Sequence, residues 1–164
     1  MPQRFRAAAL GLALVAALGL GACSNDKDLA DASAFGAGAA TPGSAQDFVV
    51  NIGDRVFFES DSTDLTPTAT ATLDKQAAWL QRYPRYTFII EGHADERGTR
   101  EYNFSLGARR AQAVNDYLAT RGIAGNRMRT VSYGKERPVA VCNDISCWSQ
   151  NRRAVIVLDR GAGA

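Results

Sequence analysis

The residues best suited to chemistry lie between Glu91 and Arg110, in the sequence EGHADERGTREYNFSLGARR. Asp95 lies in a polar loop directly after an apolar strand pattern, and Arg110 lies on the helix predicted to follow that loop. A carboxylate binds an ammonium group, and a guanidinium fork binds a carboxylate through two parallel hydrogen bonds. Across one crevice, this pair would hold both ends of a zwitterionic ligand.

His93 and Asp95 also form an H-x-D pair, which suggests a metal ligand set or a general base. His93 is the only histidine of the chain, and no second group of His, Cys or carboxylate residues has ligand spacing. A serine triad would need His93 as its base, and the chain has no G-x-S-x-G sequence. We therefore predict no metal, no cofactor and no enzymatic activity, with His93 organising the loop through hydrogen bonds.

The elements that position these residues follow from periodicity. Thr66 and Pro67 predict a capped helix that buries Leu73, Ala77 and Leu80 and ends before Pro84, and Thr99 predicts a second helix that ends near Gly122. Alternating or apolar runs predict strands at 48–50, 55–58, 86–91, 129–133 and 153–158. The predicted fold class is α/β, an α+β sandwich with both main helices on one face of the sheet.

The first 22 residues are typical of an export signal. Arg4 and Arg6 precede an apolar run of 16 residues, from Ala7 to Ala22, which spans about 24 Å as a helix and so is short for a membrane. Leu20 to Cys23 resembles the bacterial lipobox, in which the cysteine is lipidated and becomes the first mature residue. A plain signal peptide cut after Ala22 is the alternative. The resemblance to bacterial lipoproteins also implies the outer membrane as the destination, because Ser24 stands where an Asp would resemble an inner-membrane retention signal.

Beyond the lipobox, residues 23–46 have the small, polar composition of a flexible linker, and residues 47–160 form the predicted folded domain. The chain has 19 basic and 17 acidic residues. Removing Arg4 and Arg6 leaves 17 of each sign, with no basic run. This balance gives no electrostatic basis for nucleic-acid binding.

Four motifs carry a resemblance to a known family. They are EGHADERGTREYN, LGxRRA ending at Ala111, VSYGKERP from Val131 and NRRAV from Asn151. In this order they closely resemble the lipoprotein members of the OmpA-like C-terminal domain family, over nearly all of residues 53–158. The resemblance implies a βαβαββ fold with a mixed four-stranded sheet.

The resemblance also implies non-covalent binding of peptidoglycan at the diaminopimelate of its stem peptide. Asp95 would accept the ammonium group of that residue, and Arg110 would bind its carboxylate. Five more residues are implied in the same site: Phe58, Asp61, Thr63, Asn103 and Leu106. Core packing is the alternative for Phe58 and Leu106, and the alternative for Asp61 is a turn residue that bonds its own backbone. The segment from Glu59 to Asp61 also departs from the family pattern, in which Asp, a hydrophobic residue and Asp are frequent.

Three further expectations concern the surroundings of this site. Cys142 and Cys147 are expected to form a disulfide, since an exported protein meets oxidising conditions. Arg109 points about 100° away from Arg110 on the helix and is assigned to a surface or ion-pair role. Asn151, Arg152 and Arg153 are expected to support the loop of Asp95, with a solvated strand start as the alternative.

The partners implied by the family are TolB and the Tol system of cell division, with the outer membrane held through lipidated Cys23. Two other functions remain open on the sequence. One is a scaffold for envelope proteins with weak wall binding. The other is an enzyme acting on peptidoglycan, for which the H-x-D pair is the only support.

Overall fold

The structure, a computed structural model, describes residues 40–159. The strands there are β1 (Arg55–Phe57), β2 (Phe88–His93), β3 (Met128–Gly134) and β4 (Arg153–Leu158). The helices are α1 (Ala45–Asp47), α2 (Pro67–Arg82), α3 (Arg100–Thr120) and α4 (Ile145–Asn151), with a π-helical turn at Phe48–Ile52 and a 3₁₀ turn at Gly125–Arg127. The predicted export signal and Cys23 lie outside the described residues. No described helix has both the length and the apolar character needed to cross a membrane.

The four described strands form one mixed sheet in the order β1-β4-β2-β3. β4 pairs antiparallel with both β1 and β2, and β2 pairs parallel with β3. β2 therefore lies inside the sheet, as its apolar run predicts, and its C-terminal end carries the loop of Asp95. The mixed four-stranded sheet of the prediction is confirmed.

Helices α2 and α3 begin at the predicted caps. The Thr66 hydroxyl accepts a hydrogen bond from the Ala69 amide, and the Thr99 hydroxyl accepts one from Tyr102. Their apolar faces share one buried core with the inward residues of the sheet, so both helices pack on the same sheet face. Gly122 follows α3 with a φ of 82°, the left-handed conformation typical of a helix C-terminus.

The predicted strand at 48–50 is wrong, because this segment is helical. Ser44 caps α1, and the Asp47 carboxylate accepts hydrogen bonds from the Gly43 amide, the Asn51 amide group and the Trp79 indole, each at 2.8 Å. Those donors hold the pKa of Asp47 below its ordinary value, with the Trp79 bond as the largest cause. A single buried carboxylate thus fixes the local conformation that the run of apolar residues did not reveal.

The folded region also begins earlier than the predicted boundary at Asp47. Ser44 donates its backbone N–H to the carbonyl of Thr41, and the Gly43 carbonyl accepts hydrogen bonds from Arg85 and Tyr86. Residues 41–46, assigned to the linker by composition, are therefore attached to the domain.

Helix α4 is a second element that the sequence did not predict. Its cap is Asp144, whose side chain accepts a hydrogen bond from the Ser146 amide. The predicted disulfide between Cys142 and Cys147 is formed, with a Cα–Cα distance of 5.7 Å, and joins the loop after β3 to the first turn of α4.

Close contact between β2 and α3 positions the candidate site. A Cβ atom on Gly92 would overlap the backbone carbonyl of Gly107, so both glycines permit an approach that no larger residue allows. The LGxRRA sequence lies inside α3, and its glycine faces the strand. This contact brings Arg110 to the end of β2.

Candidate functional site

Asp95 and Arg110 line the same cleft, which has a volume of about 270 Å³. The cleft lies between the segment after β1, the loop after β2 and the first turns of α3. Of the residues implied by the resemblance, Asp61, Asn103 and Leu106 also line it. The structure therefore brings together two charged groups of opposite sign that lie fifteen positions apart in the chain.

The Asp95 carboxylate is buried, with 6% of the residue exposed, and is already paired. One oxygen accepts from the backbone amide and Nε of Arg97, and the other accepts from Arg97 Nη2 at 2.7 Å. Arg152 Nη1 lies 3.4 Å from the second oxygen. Burial by itself raises the pKa of Asp95, but the hydrogen bonds and charge of Arg97, with the Arg152 bond, outweigh it and hold the pKa below its ordinary value. Asp95 is therefore an anion at neutral pH.

Arg110 is fully buried and joins α3 to the segment after β1 and to the end of β2. Its Nε donates to the Ser62 carbonyl, Nη1 to the His93 carbonyl and Nη2 to the Glu59 carbonyl. Burial, followed by the charge of Arg152, lowers the pKa of Arg110 to about 10, so the group stays protonated at neutral pH. Because a guanidinium has five N–H donors, these three bonds leave two of them unused.

Phe58 and Thr63 do not line the cleft, contrary to the implied role of both. Phe58 is a core residue with 3% exposure, and its ring lies 5.2 Å below the guanidinium of Arg110. Phe58 therefore packs in the core, which was the alternative to a role in the cleft. Its ring lies against the guanidinium of Arg110. Leu106 serves both purposes, since it is buried and also forms part of the cleft wall.

Asp61 has a φ of 55°, the left-handed region that aspartate tolerates better than most residues. Its side chain accepts a hydrogen bond from the Tyr102 hydroxyl, on the first turn of α3. No described atom of its own turn bonds to this carboxylate, so the turn alternative is not what the structure shows. Asp61 and Tyr102 instead link the two sides of the cleft mouth.

The main residue that sequence reasoning missed is Arg97. Its guanidinium holds Asp95, donates to the Ser60 hydroxyl and stacks 4.2 Å from the Trp148 ring of α4. Asn103 supports it from below by donating to its carbonyl. The short separation of Arg97 and Asp95 in the sequence could have suggested that they form an ion pair. Charged residues in loops are usually solvated, however, so the sequence alone did not single out Arg97.

The residues around β4 divide as follows. Arg152 contacts Asp95 and donates to the Phe58 carbonyl, so its expected support of the loop is confirmed. Asn151 instead holds the segment at Val139 and Ala140.

Arg109, on α3, is exposed and donates to Ser105, in agreement with a surface role.

His93 contributes its backbone rather than its side chain, since its carbonyl accepts from Arg110. The ring is 1% exposed, and neither nitrogen makes a hydrogen bond to a described residue, although Glu91 lies 3.5 Å from Nε2. The expected role as a hydrogen-bonded loop organiser is therefore not seen for the ring. Within residues 40–159, no group of three His, Cys, Asp or Glu side chains is placed to hold a metal ion.

Comparison with known proteins agrees with this architecture. Residues 57–152 match the model of the OmpA family. The peptidoglycan-associated lipoprotein of Rhizobium meliloti is 65% identical over 156 residues, covering 93% of this chain and 88% of the relative. The protein of the same name from Haemophilus influenzae is 40% identical over 137 residues, covering 84% and 88%.

Solved structures give the same result. The crystal structure of the peptidoglycan-associated lipoprotein from Burkholderia pseudomallei aligns with a TM-score of 0.63 and 42% identity, covering 65% of this chain and 90% of that one. The C-terminal domain of Helicobacter pylori MotB aligns with a TM-score of 0.62 at 24% identity, which supports the fold alone. The chain belongs to the OmpA family and, within it, to the peptidoglycan-associated lipoproteins.

Proposed function

We propose that the cleft binds peptidoglycan non-covalently at the diaminopimelate of the stem peptide. The observation that carries the proposal is the presence of a carboxylate and a guanidinium, Asp95 and Arg110, in the lining of one small cleft. The names of the relatives associate those proteins with peptidoglycan. The family is one of binding proteins rather than enzymes, so the chemistry required of the cleft is recognition.

The side chain of diaminopimelate ends in a carbon that bears both an ammonium group and a carboxylate. Asp95 would receive the ammonium group, and the two free donors of Arg110 would receive the carboxylate. Lysine in the same stem position lacks that carboxylate and would leave Arg110 without its partner. An unmatched buried charge costs about 2 to 5 kcal/mol, which predicts strong discrimination between the two stems.

The same proposal places the chain in the outer membrane, facing the periplasm, with acyl chains on Cys23. Because the folded region begins at Thr41, the proposed linker shortens to residues 24–40. Seventeen residues of this composition have a root-mean-square span of about 21 to 25 Å. A domain confined in this way needs only modest affinity, because the linker keeps it close to the wall.

TolB and the Tol system are the proposed protein partners, in envelope integrity and cell division. TolB is expected to compete with peptidoglycan for the same face of the domain. A scaffold with weak wall binding is the alternative, and it predicts that partner binding survives loss of the cleft charges.

Titration calorimetry with a diaminopimelate muropeptide and its lysine counterpart tests the proposal. Asp95→Asn and Arg110→Lys should each weaken the diaminopimelate complex by at least about tenfold. The matched controls are Asp116→Asn and Arg109→Lys, which change exposed residues of α3 and should leave the affinity unaltered. Equal affinity for both muropeptides would contradict the proposed ligand, and sedimentation with sacculi that survives Asp95→Asn would favour the scaffold.

A further inference from the structure

A second, larger concavity lies on the other side of the Phe58 and Glu59 segment. It has a volume of about 540 Å³ and lies between the outer edge of β1, the first turns of α2 and the end of α4. We call it the β1 groove; the lining residues used below are Arg55, Phe57, Glu59, Thr68 and Arg152. We propose that the β1 groove binds an extended segment of a partner protein, which adds to β1 as a further strand and places a carboxylate on Arg152.

The main chain of β1 supplies the first part of the argument. β1 pairs only with β4 among the described strands, so one of its edges is free. Asp54 accepts from the Ile156 amide, and Phe58 donates to the Arg152 carbonyl. Since hydrogen-bonded positions alternate along an antiparallel strand, Arg55 and Phe57 direct their backbone N–H and C=O groups outward. These groups are donors and acceptors in the spacing that an incoming strand requires.

Arg152 supplies the charge. It is 5% exposed and lines the groove, with Nε donating to the Phe58 carbonyl and Nη1 lying 3.4 Å from Asp95. Its Nη2 has no hydrogen-bond partner among the described residues. A buried guanidinium favours a carboxylate, because a second ion pair offsets the cost of its burial. Glu59 also lines the groove, but it is exposed, so water and salt screen its charge.

The geometry favours a protein segment over the peptidoglycan stem as the occupant. Strand pairing requires backbone angles in the β region, which is the allowed region for L residues. Stem peptides alternate L and D residues, and a D residue favours the mirror-image angles. The short β1 edge, with two outward-facing residues, therefore matches a short all-L segment that ends in, or carries, an acidic residue.

This inference does not depend on what the cleft binds, although the two sites share Arg152. A carboxylate in the β1 groove would pair with the same guanidinium whose Nη1 lies near Asp95. The test therefore uses groove variants that leave Arg152, Asp95 and Arg110 unchanged.

The probe is a labelled all-L peptide of alternating valine and threonine that ends in aspartate, titrated into the full chain by fluorescence anisotropy. Saturable binding is expected, and ending the peptide in asparagine amide should weaken it at least about tenfold. Thr68→Trp fills the groove and should cause a similar loss, whereas Ala71→Trp, on an exposed position of the same helix outside the lining, should not.

A backbone variant separates strand addition from side-chain contact. Phe57→Pro removes one outward N–H without touching the bonds between β1 and β4, and it should bind about tenfold more weakly than Phe57→Ala. If Phe57→Pro does not fold, the difference in peptide affinity between Thr68→Trp and Ala71→Trp tests whether the peptide occupies the β1 groove. The proposal is overturned if the peptide shows no saturable binding or if Thr68→Trp binds it with unchanged affinity. It is also overturned if a peptide with alternating L and D residues binds equally well, because the peptidoglycan stem peptide would then be the occupant.

Discussion

At the scale of single residues, the proposed recognition depends on Asp95, and the guanidinium of Arg97 already pairs with this carboxylate. Four donors converge on its two oxygens, three of them from Arg97, whose side chain is 43% exposed. A ligand ammonium must displace this guanidinium or share the carboxylate with it. The free protein therefore holds its own competitor for the ligand.

We expect Arg97→Ala to strengthen the binding of a diaminopimelate muropeptide several-fold, because the ammonium no longer competes with an internal cation. Titration calorimetry of the variant against the unmodified chain checks this, with Arg100→Ala as a control for the loss of one exposed positive charge. Weaker binding in Arg97→Ala alone would show instead that Arg97 contacts the ligand directly.

His93 predicts an acid sensitivity that does not depend on the ligand. Burial first, and then the charges of Arg153, Arg137 and Arg55, lower its pKa from 6.5 to about 4, despite Glu91 nearby. The unfolded chain binds this proton at higher pH than the folded chain does. The corresponding stabilisation is fully present above pH 6.5 and is lost as the pH falls toward 4, on the order of 3 kcal/mol.

Urea unfolding of the unmodified chain and of His93→Phe, at several pH values between 7 and 4, measures this contribution. The free energy of unfolding should decline less steeply in the variant, because phenylalanine does not titrate. Carboxylates that titrate in the same range affect both proteins, so only the difference between the two slopes matters. Parallel slopes would contradict the assignment of the effect to His93.

At the scale of secondary-structure elements, the contact between β2 and α3 holds the cleft together. Adding a methyl group at Gly92 forces its Cβ into the backbone of Gly107, which cannot move aside as a flexible side chain would. Gly92→Ala should therefore lower the free energy of unfolding by about 3 kcal/mol and weaken ligand binding with it. Gly125→Ala is the control, since a Cβ there meets nothing within 4 Å and the change should stay within about 0.5 kcal/mol. Similar stabilities for the two variants in urea unfolding would mean that β2 and α3 are not rigidly packed.

The sequence predicted those helices and strands that are determined by residues within the element itself. Thr66 with Pro67, and Thr99, start their helices through their own side chains, and β4 has the predicted bounds. The helical segment at Phe48 was not predictable, because it depends on Asp47 reaching Trp79, 32 positions away. Helix α4 is short, and its polar residues resemble a loop.

The candidate site divides in the same way. Asp95 and Arg110 carried signals of charge and spacing, and the structure brings them into one cleft. Phe58 could not be separated from core packing by sequence, and Arg97 could not be separated from a solvated loop charge. Both assignments depend on which side of a segment faces the cleft. The amino-acid composition of the segment carries no information about that orientation.

At the scale of the whole molecule, we propose that the chain tethers the outer membrane to the cell wall through two attachments that fail independently. The proposed anchor would depend on one cysteine outside the described residues, and the proposed wall attachment would depend on a cleft within the folded domain. Residues 41–46 pack on that domain through contacts such as the Tyr86 hydroxyl with the Gly43 carbonyl, so the proposed linker ends before Thr41 rather than at Gln46. The two functions are therefore separable by single substitutions.

Cys23→Ser should move the chain from the outer-membrane fraction to the soluble periplasmic fraction, because acyl chains contribute about 0.8 kcal/mol for each buried methylene and nothing replaces them. The released protein should still sediment with purified sacculi, since its cleft is unchanged. Asp95→Asn is the reciprocal control, expected to stay with the outer membrane and to lose the sacculi. Fractionation of cells that express each variant, followed by immunoblotting, measures both properties. A Cys23→Ser protein that remains in the outer-membrane fraction would show that another part of the chain anchors it, and the proposed lipid anchor at Cys23 would then be wrong.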